Sequence, residues 1–215
     1  HLPSWTITKY EVDLGSSVAR GYFSNVYKGT WRRRTVAVKV LESHIPSDLL
    51  NEVNIWMSLR HRIILRFYGA SSTKGPLPWF IVSPFVQHGS VSDYLKRMRK
   101  RADLGVPQTG KDEPNFLQLT YDVGNGMKYL HRMGILHCDL KTANVLVDDK
   151  KRCLIADFGQ SKLTSEVTHE TPAPKHALRW QAPEVMHNRS IPTRKVDVYS
   201  FAMVCVEIIT MGSIP

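Results

Sequence analysis

The sequence predicts an α+β fold in two parts, a mainly β part over 1–86 and a mainly helical part over 87–215. Three observations predict it. Up to Phe85, β-branched and aromatic runs alternate with turn residues, and one helical pattern interrupts them. Beyond Phe85 the apolar spacing switches to the three-and-four-residue period of helices. At 215 residues, with 42% hydrophobic and 22% charged residues, the chain can bury a core without disulfide staples.

The elements follow in order. Val26 and Tyr27 lead toward a turn at Lys28-Gly29-Thr30, and Thr35 to Val40 is β-rich. Leu49, Leu50, Val53, Trp56, Met57 and Leu59 recur at helical spacing and predict a helix over 47–60. Strand-like runs follow around 63–70 and 79–86. Ser92 to Arg101 reads as a polar helix, and 102–114, with two glycines and two prolines, as a loop. Asn115 to Arg132 reads as a longer helix with Phe116, Leu119, Val123, Met127 and Leu130 on one face, weakened by Gly124 and Gly126. Short strands are expected at 144–147 and 153–156, and a long polar loop over 160–178. Val196 to Met211 is apolar on most sides, the pattern of a helix buried in a domain centre. It is too short to span a membrane: Asp197 and Glu207 leave nine uncharged residues between them, where a span needs about 20.

Charge and cysteine usage narrow the classes. Cys138, Cys153 and Cys205 lie far apart without a C-x-x-C pair, which argues against a disulfide scaffold or zinc finger and for a reducing, cytoplasmic location. The opening His1-Leu2-Pro3-Ser4-Trp5 shows no signal-peptide run. A net charge of +10 invites a nucleic-acid reading. The basic residues fall in short clusters, Arg32 to Arg34 and Lys96 to Arg101, without interleaved aromatics. They read as solvated faces, so no nucleic-acid partner is expected.

The strongest local signal is His137-Cys138-Asp139-Leu140-Lys141-Thr142-Ala143-Asn144. Asp157-Phe158-Gly159 begins thirteen residues after Asn144, and Ala182-Pro183-Glu184 begins twenty-five after Asp157. Upstream stands Val36-Ala37-Val38-Lys39. Singly, each Asp or Lys reads as a surface charge. In this order, the set resembles the protein kinase signature of a β3 lysine, H-R-D-L-K-x-x-N, D-F-G and A-P-E. Arg179-Trp180-Gln181-Ala182-Pro183-Glu184 is similar to the tyrosine-kinase-like group. There is no G-x-x-x-x-G-K-[ST], so a P-loop ATPase is excluded.

The resemblance implies a two-lobed protein-kinase-like fold. Residues 1–86 would be the small, mainly antiparallel β lobe with one helix, plus the hinge. Residues 87–215 would be an incomplete, mainly α large lobe, ending within the lobe's central helix. It implies ATP and Mg2+ as cofactors and a protein substrate. Asp139 would be the catalytic base and Lys141 the cation at the γ-phosphate. Lys39 would hold the α- and β-phosphates, aimed by Glu52, nine residues before His61. Asn144 and Asp157 would bind the metal through hard oxygens. Ala19, Gly21, Val26, Ala37, Ser83, Val86 and Leu146 would surround the nucleotide, with Ser83 a small gatekeeper. Ser90 or Asp93 would reach the ribose. Phe67, Trp56, His137 and Phe158 match the family's regulatory stack.

Several positions depart from the pattern. In the glycine loop, Ala19-Arg20-Gly21-Tyr22-Phe23-Ser24 keeps only the middle glycine. Read alone it is a β-hairpin, and Gly15-Ser16-Ser17 offers other registers. Cys138 replaces the H-R-D arginine, so an arginine-read phospho-switch is not expected there. Thr164, Ser165, Thr168 and Thr171 remain candidate phosphosites. His176-Ala177 stands where the family has Gly-Thr. The expected function is ATP-dependent protein phosphorylation, directed to Ser/Thr because of Lys141. The alternative is a kinase-like nucleotide-binding or scaffold module.

Overall fold

The computed structural model describes residues 2–21, 24–42, 46–72, 78–106, 114–167, 178–186 and 191–212. The fold is α+β and divides into two compact units. One comprises His1–Arg60 and Leu65–Val86, the other His61–Ile64 and Gln87–Pro215.

The first unit is a five-stranded antiparallel sheet with one helix. Its strands are β1 (Val12–Arg20), β2 (Ser24–Trp31), β3 (Arg34–Leu41), β4 (Gly69–Ala70) and β5 (Phe80–Pro84), in the order β1-β2-β3-β5-β4. Helix α1 spans Pro46–Ser58. Because side chains alternate across a strand, cross-strand partners share a face. One face carries Val36, Val38, Phe80 and Val82, which pack with Ile7, Val12 and Trp31 into a core. Each such burial contributes about 1.5–3 kcal/mol. The other face carries the rung Ala19, Val26, Lys39 and Ile81, and beside it Ala37 opposite Ser83.

The structure moves the turn expected at Lys28-Gly29-Thr30. Strand β2 runs on to Trp31, and the reversal is made by Arg32 (φ 47°) and Arg33 (φ 61°). Gly29 stays in the strand because a Cβ there would meet the Asp13 carbonyl oxygen at 2.6 Å. Gly15, Ser16 and Ser17 lie inside β1, so the β1–β2 reversal falls at Gly21, whose N–H donates to the Ser24 carbonyl at 2.7 Å. Tyr22 and Phe23 lie outside the described residues. The strand expected over 63–70 shrinks to β4. Pairing with β5 begins only at Tyr68, whose N–H donates to the Val82 carbonyl. Ile63 and Ile64 pair with Ile155 instead.

The second unit is mainly helical. It holds α2 (Val91–Asp103), α3 (Phe116–Arg132), α4 (Pro183–Met186) and α5 (Arg194–Ile209). Two small antiparallel ladders join them: β6 (Ile135–Leu136) with β9 (Lys162–Leu163), and β7 (Val145–Val147) with β8 (Cys153–Ile155). The β9 strand interrupts the loop expected over 160–178, of which 168–177 lie outside the described residues. Asn115 caps α3 by accepting the Gln118 N–H, and Thr193 caps α5. The α3 glycines have packing reasons. A Cβ on Gly126 would lie 2.5 Å from Ile155 Cδ1 and 3.0 Å from Ile63 Cγ2. The buried Asp122 of α3 accepts the Cys153 N–H at 3.0 Å and so fixes β8.

Candidate active site

The first unit builds a cation on a sheet. Lys39 extends from β3, and its Nζ donates to both Glu52 oxygens, at 2.9 and 3.2 Å. The Glu52 side chain, from α1, is 3% exposed. A carboxylate that dry is tolerated only with a partner. Ala19 and Val26 share the Lys39 rung. Ser83 is buried opposite Ala37. Gly21 lies at the hairpin end, and Val86 is half-buried just past β5. Trp56 and Phe67 rings meet at 5.8 Å, and Trp56 Nε1 donates to the Leu65 carbonyl.

The second unit builds a carboxylate held from one side. Lys141 Nζ donates to Asp139 Oδ2 at 2.8 Å, and Asn144 Nδ2 donates to the same oxygen at 2.9 Å. Asn144 Nδ2 also reaches the Asp139 carbonyl at 2.8 Å. The other carboxylate oxygen, Asp139 Oδ1, is buried and accepts no hydrogen bond. A buried ionised oxygen without a donor is costly. A carboxylate oxygen without a donor can accept a hydrogen bond or a proton from a hydroxyl that reaches it.

The loop bearing Asp139 is clamped through its backbone. Asp197, on α5 and 1% exposed, accepts the His137 N–H at 2.9 Å and the Cys138 N–H at 3.0 Å. His131 Nε2 lies 2.8 Å from the same carboxylate. The Asp139 N–H donates to His137 Nδ1, so His137 Nε2 carries the proton that the Ala156 carbonyl accepts at 3.1 Å. His137 also packs on Phe158 at 5.6 Å. Cys138 holds φ 61° and Asp157 φ 63°, left-handed conformations that non-glycine residues rarely adopt. Burial, then the neighbouring Asp197, pushes the Cys138 thiol up to about 12, so it stays protonated and unreactive at neutral pH.

Asn144 and Asp157 are brought near one another by backbone pairing. The Ala156 N–H donates to the Asn144 carbonyl at 2.9 Å, one residue before Asp157. With Asn144 Nδ2 turned to Asp139, its Oδ1 remains as a hard oxygen. An amide oxygen and a carboxylate suit Mg2+, which takes its other ligands from water and phosphate. Among the described residues no group of three or more His, Cys, Asp or Glu could hold a metal ion. The two oxygens of Asn144 and Asp157 fit the hard-ligand preference of Mg2+. Leu146 turns to the face opposite the buried Val145 and Val147. Ser90 caps α2: its Oγ accepts the Asp93 N–H and donates to Asp93 Oδ2 at 2.6 Å. Toward a ribose it can only accept.

Sequence reasoning missed the supports. In the sequence Asp197 reads as a charge breaking an apolar run, and Asp197-Val198-Tyr199-Ser200-Phe201 resembles the start of the family's central large-lobe helix, but nothing there points to a clamp on the Asp139 loop. A charge inside such a run is itself the signal, because it must find buried donors. Ser200 and Glu207 on the same helix hold Trp180, through its carbonyl at 2.6 Å and its Nε1 at 3.2 Å. Thr164 and Ser165 are exposed, while Thr168, Thr171, His176 and Ala177 lie outside the described residues.

A five-stranded antiparallel sheet with a lysine–glutamate pair, and a helical unit with an Asp–Lys–Asn loop, define a protein kinase domain. The chain belongs to this family: the family described as protein tyrosine and serine/threonine kinase matches residues 12–215. It is 34% identical to serine/threonine-protein kinase STY46 of Arabidopsis thaliana, over 98% of this chain and 35% of that protein. It is 35% identical to tyrosine-protein kinase Fgr of Rattus norvegicus, over 99% of this chain and 40% of that one. It is also 35% identical to the probable serine/threonine-protein kinase drkD of Dictyostelium discoideum, over 96% of this chain and 16% of that one. The chain thus spans well under half the length of these relatives. No helix among the described residues is long and apolar enough to cross a membrane.

Proposed function

We propose that the chain transfers the γ-phosphate of ATP to a serine or threonine hydroxyl of a protein substrate. The observation that carries this reading is the divided Asp139 carboxylate, with Oδ2 held by Lys141 and Asn144 and Oδ1 buried and open. In the first unit Lys39, aimed by Glu52, binds the α- and β-phosphates. Ala19, Gly21, Val26, Ala37, Ser83 and Val86 contact the nucleotide. In the second unit Leu146 contacts the base, Ser90 the ribose, and Asn144 and Asp157 ligate Mg2+. Bound Mg2+–ATP supplies the phosphoryl donor and neutralises its developing charge. Asp139 Oδ1 orients the substrate hydroxyl and accepts its proton. Lys141 balances negative charge beside the reacting oxygen. Two of the relatives carry serine/threonine names and one a tyrosine name. Lys141, two residues after Asp139, favours serine/threonine.

A second reading, a nucleotide-binding scaffold without efficient transfer, is favoured by Ala19 and Ser24 in place of loop glycines. Phosphate transfer to a generic protein substrate, followed by phosphoamino-acid analysis, separates the readings. Asp139→Asn should lower turnover by about 10²–10⁴-fold. Equal activity of the two proteins sinks the catalytic reading, and phosphotyrosine as the main product sinks the serine/threonine one. Thermal stabilisation by ATP without transfer supports the scaffold.

A further inference from the structure

The β2–β3 turn is built against its own backbone preference. A two-residue hairpin turn with both central residues at positive φ normally takes Asn-Gly. Here it takes Arg32 and Arg33, at φ 47° and 61°, followed by Arg34 at the start of β3. All three are exposed. Turn preference selects none of the three.

Their chemistry is organised. The Arg32 guanidinium lies over the Trp31 ring, 4.6 Å from its centroid. Trp31 meets Tyr68 at 5.6 Å, and the Arg66 guanidinium lies over the Tyr68 ring, 5.8 Å from its centroid. A cation–aromatic–aromatic–cation row therefore runs from the exposed Arg32 through the largely buried Trp31 and half-buried Tyr68 to the exposed Arg66. Arg34 is the cross-strand partner of Trp31 and shares its face. A guanidinium over an aromatic ring keeps N–H donors with which it can bind a phosphate in a bidentate fashion. Among the described residues none of the four arginines forms an ion pair with a carboxylate. Glu11 faces Arg32 electrostatically, but its carboxyl already accepts the Thr8 N–H and hydroxyl. Asp13 lies one rung further from the tip. The patch keeps a net positive charge.

We propose that Arg32, Arg33, Arg34 and Arg66 form a docking surface for a phosphorylated peptide segment of a partner protein. A doubly charged phosphate matches several neighbouring guanidiniums better than a lone carboxylate does. A bilayer is disfavoured because the three turn arginines carry no apolar neighbour at the tip to insert. Nucleic acid is disfavoured because Trp31 is largely buried and Tyr68 already carries the Trp31 ring and the Arg66 guanidinium, which leaves the patch without an open stacking platform for bases.

The test uses fluorescence anisotropy on the whole chain without ATP, so its outcome is independent of catalysis. The probes are a labelled peptide with two phosphoserines among Glu and Asp, its unphosphorylated twin, and phosphatidylserine vesicles. The proteins are the parent, an Arg32→Asn/Arg33→Gly variant, and a control with Lys96→Gln/Lys100→Gln on α2. The parent should bind the phosphopeptide in preference to its twin and to vesicles. The turn variant should lose about tenfold or more in affinity while its unfolding temperature rises, because Asn-Gly suits the turn. That pairing of tighter fold and weaker binding excludes misfolding as the cause. The control should bind as the parent does. Unchanged binding in the turn variant, equal loss in the control, or equal binding of the twin or of vesicles overturns the proposal.

Discussion

Three donors converge on one carboxylate at Asp197: the backbone N–H groups of His137 and Cys138, next to Asp139, and a ring nitrogen of His131. At this scale a buried acid works as a backbone fastener rather than as a reacting group. Asp197→Ala would leave the His137 and Cys138 N–H groups unsatisfied, at about 1–3 kcal/mol each. The expected outcome is a lower unfolding temperature together with reduced kcat, since Asp139 loses its placement, and an almost unchanged affinity for ATP analogues. Full kcat at reduced stability would show that the loop holds its shape without the clamp. Ser83 carries a different prediction. It is small, buried and opposite Ala37 on the proposed nucleotide face. Adenine analogues with a bulky substituent should bind the parent chain and lose about tenfold or more on Ser83→Met, by overpacking of roughly 1–3 kcal/mol. Measured inhibition constants that do not change would refute Ser83 as the gatekeeper.

Helix α3 shows how two glycines two residues apart can differ. A Cβ at Gly126 would crowd Ile155 and Ile63, both buried, whereas at Gly124 it would only touch the Phe201 ring at 3.4 Å. Alanine gains about 1 kcal/mol over glycine in a helix. Gly124→Ala should therefore stabilise the chain by roughly 0.5–1 kcal/mol. Gly126→Ala should be neutral to destabilising, by up to about 2 kcal/mol, because overpacking of about 1–3 kcal/mol opposes the helix gain. Denaturant unfolding of the pair checks the signs, and matching signs would mean the contact at Ile155 relaxes freely. From the sequence the two glycines look alike, as helix weakeners. The β2–β3 turn was invisible for a related reason. Gly29 looks like a turn residue, but it is a strand residue under the Asp13 carbonyl. The turn itself uses arginines, which no turn preference selects.

For the second unit as a whole, two histidines set a pH response. Burial first, and then Arg62, holds His61 below the usual imidazole range, where it stacks on Tyr129 at 4.6 Å. Burial first, and then Lys151, does the same to His88, whose Nε2 lies 3.3 Å from Lys151 Nζ, with Asp149 and Asp148 partly offsetting. A base with a depressed folded-state pKa takes up its proton more readily when unfolded. Stability is then fully present above the unfolded value, near 6.5, and falls as pH drops toward the folded values. Thermal unfolding from about pH 7.5 to about pH 5.5 should show this decline, and His61→Phe with His88→Phe should flatten it. An unchanged slope in the double variant would assign the response elsewhere.

The sequence by itself determined the family and the α+β order of elements, and it presents Lys39, Glu52, Asp139, Lys141, Asn144 and Asp157 in the order that the kinase resemblance expects. Those are legible because phosphoryl transfer needs specific residue types at fixed separations along one chain. The tertiary structure decided what holds them. It closed the Lys39–Glu52 pair that the resemblance implies, and it joined Cys138 to Asp197 across fifty-nine residues, which no local pattern shows. It committed the Ser90 hydroxyl to a helix cap and placed Gly29 inside a strand. Local pattern records which side chains a segment offers. Only folding selects the buried donors and acceptors they must satisfy, and an unpaired buried charge is too costly to be left to chance.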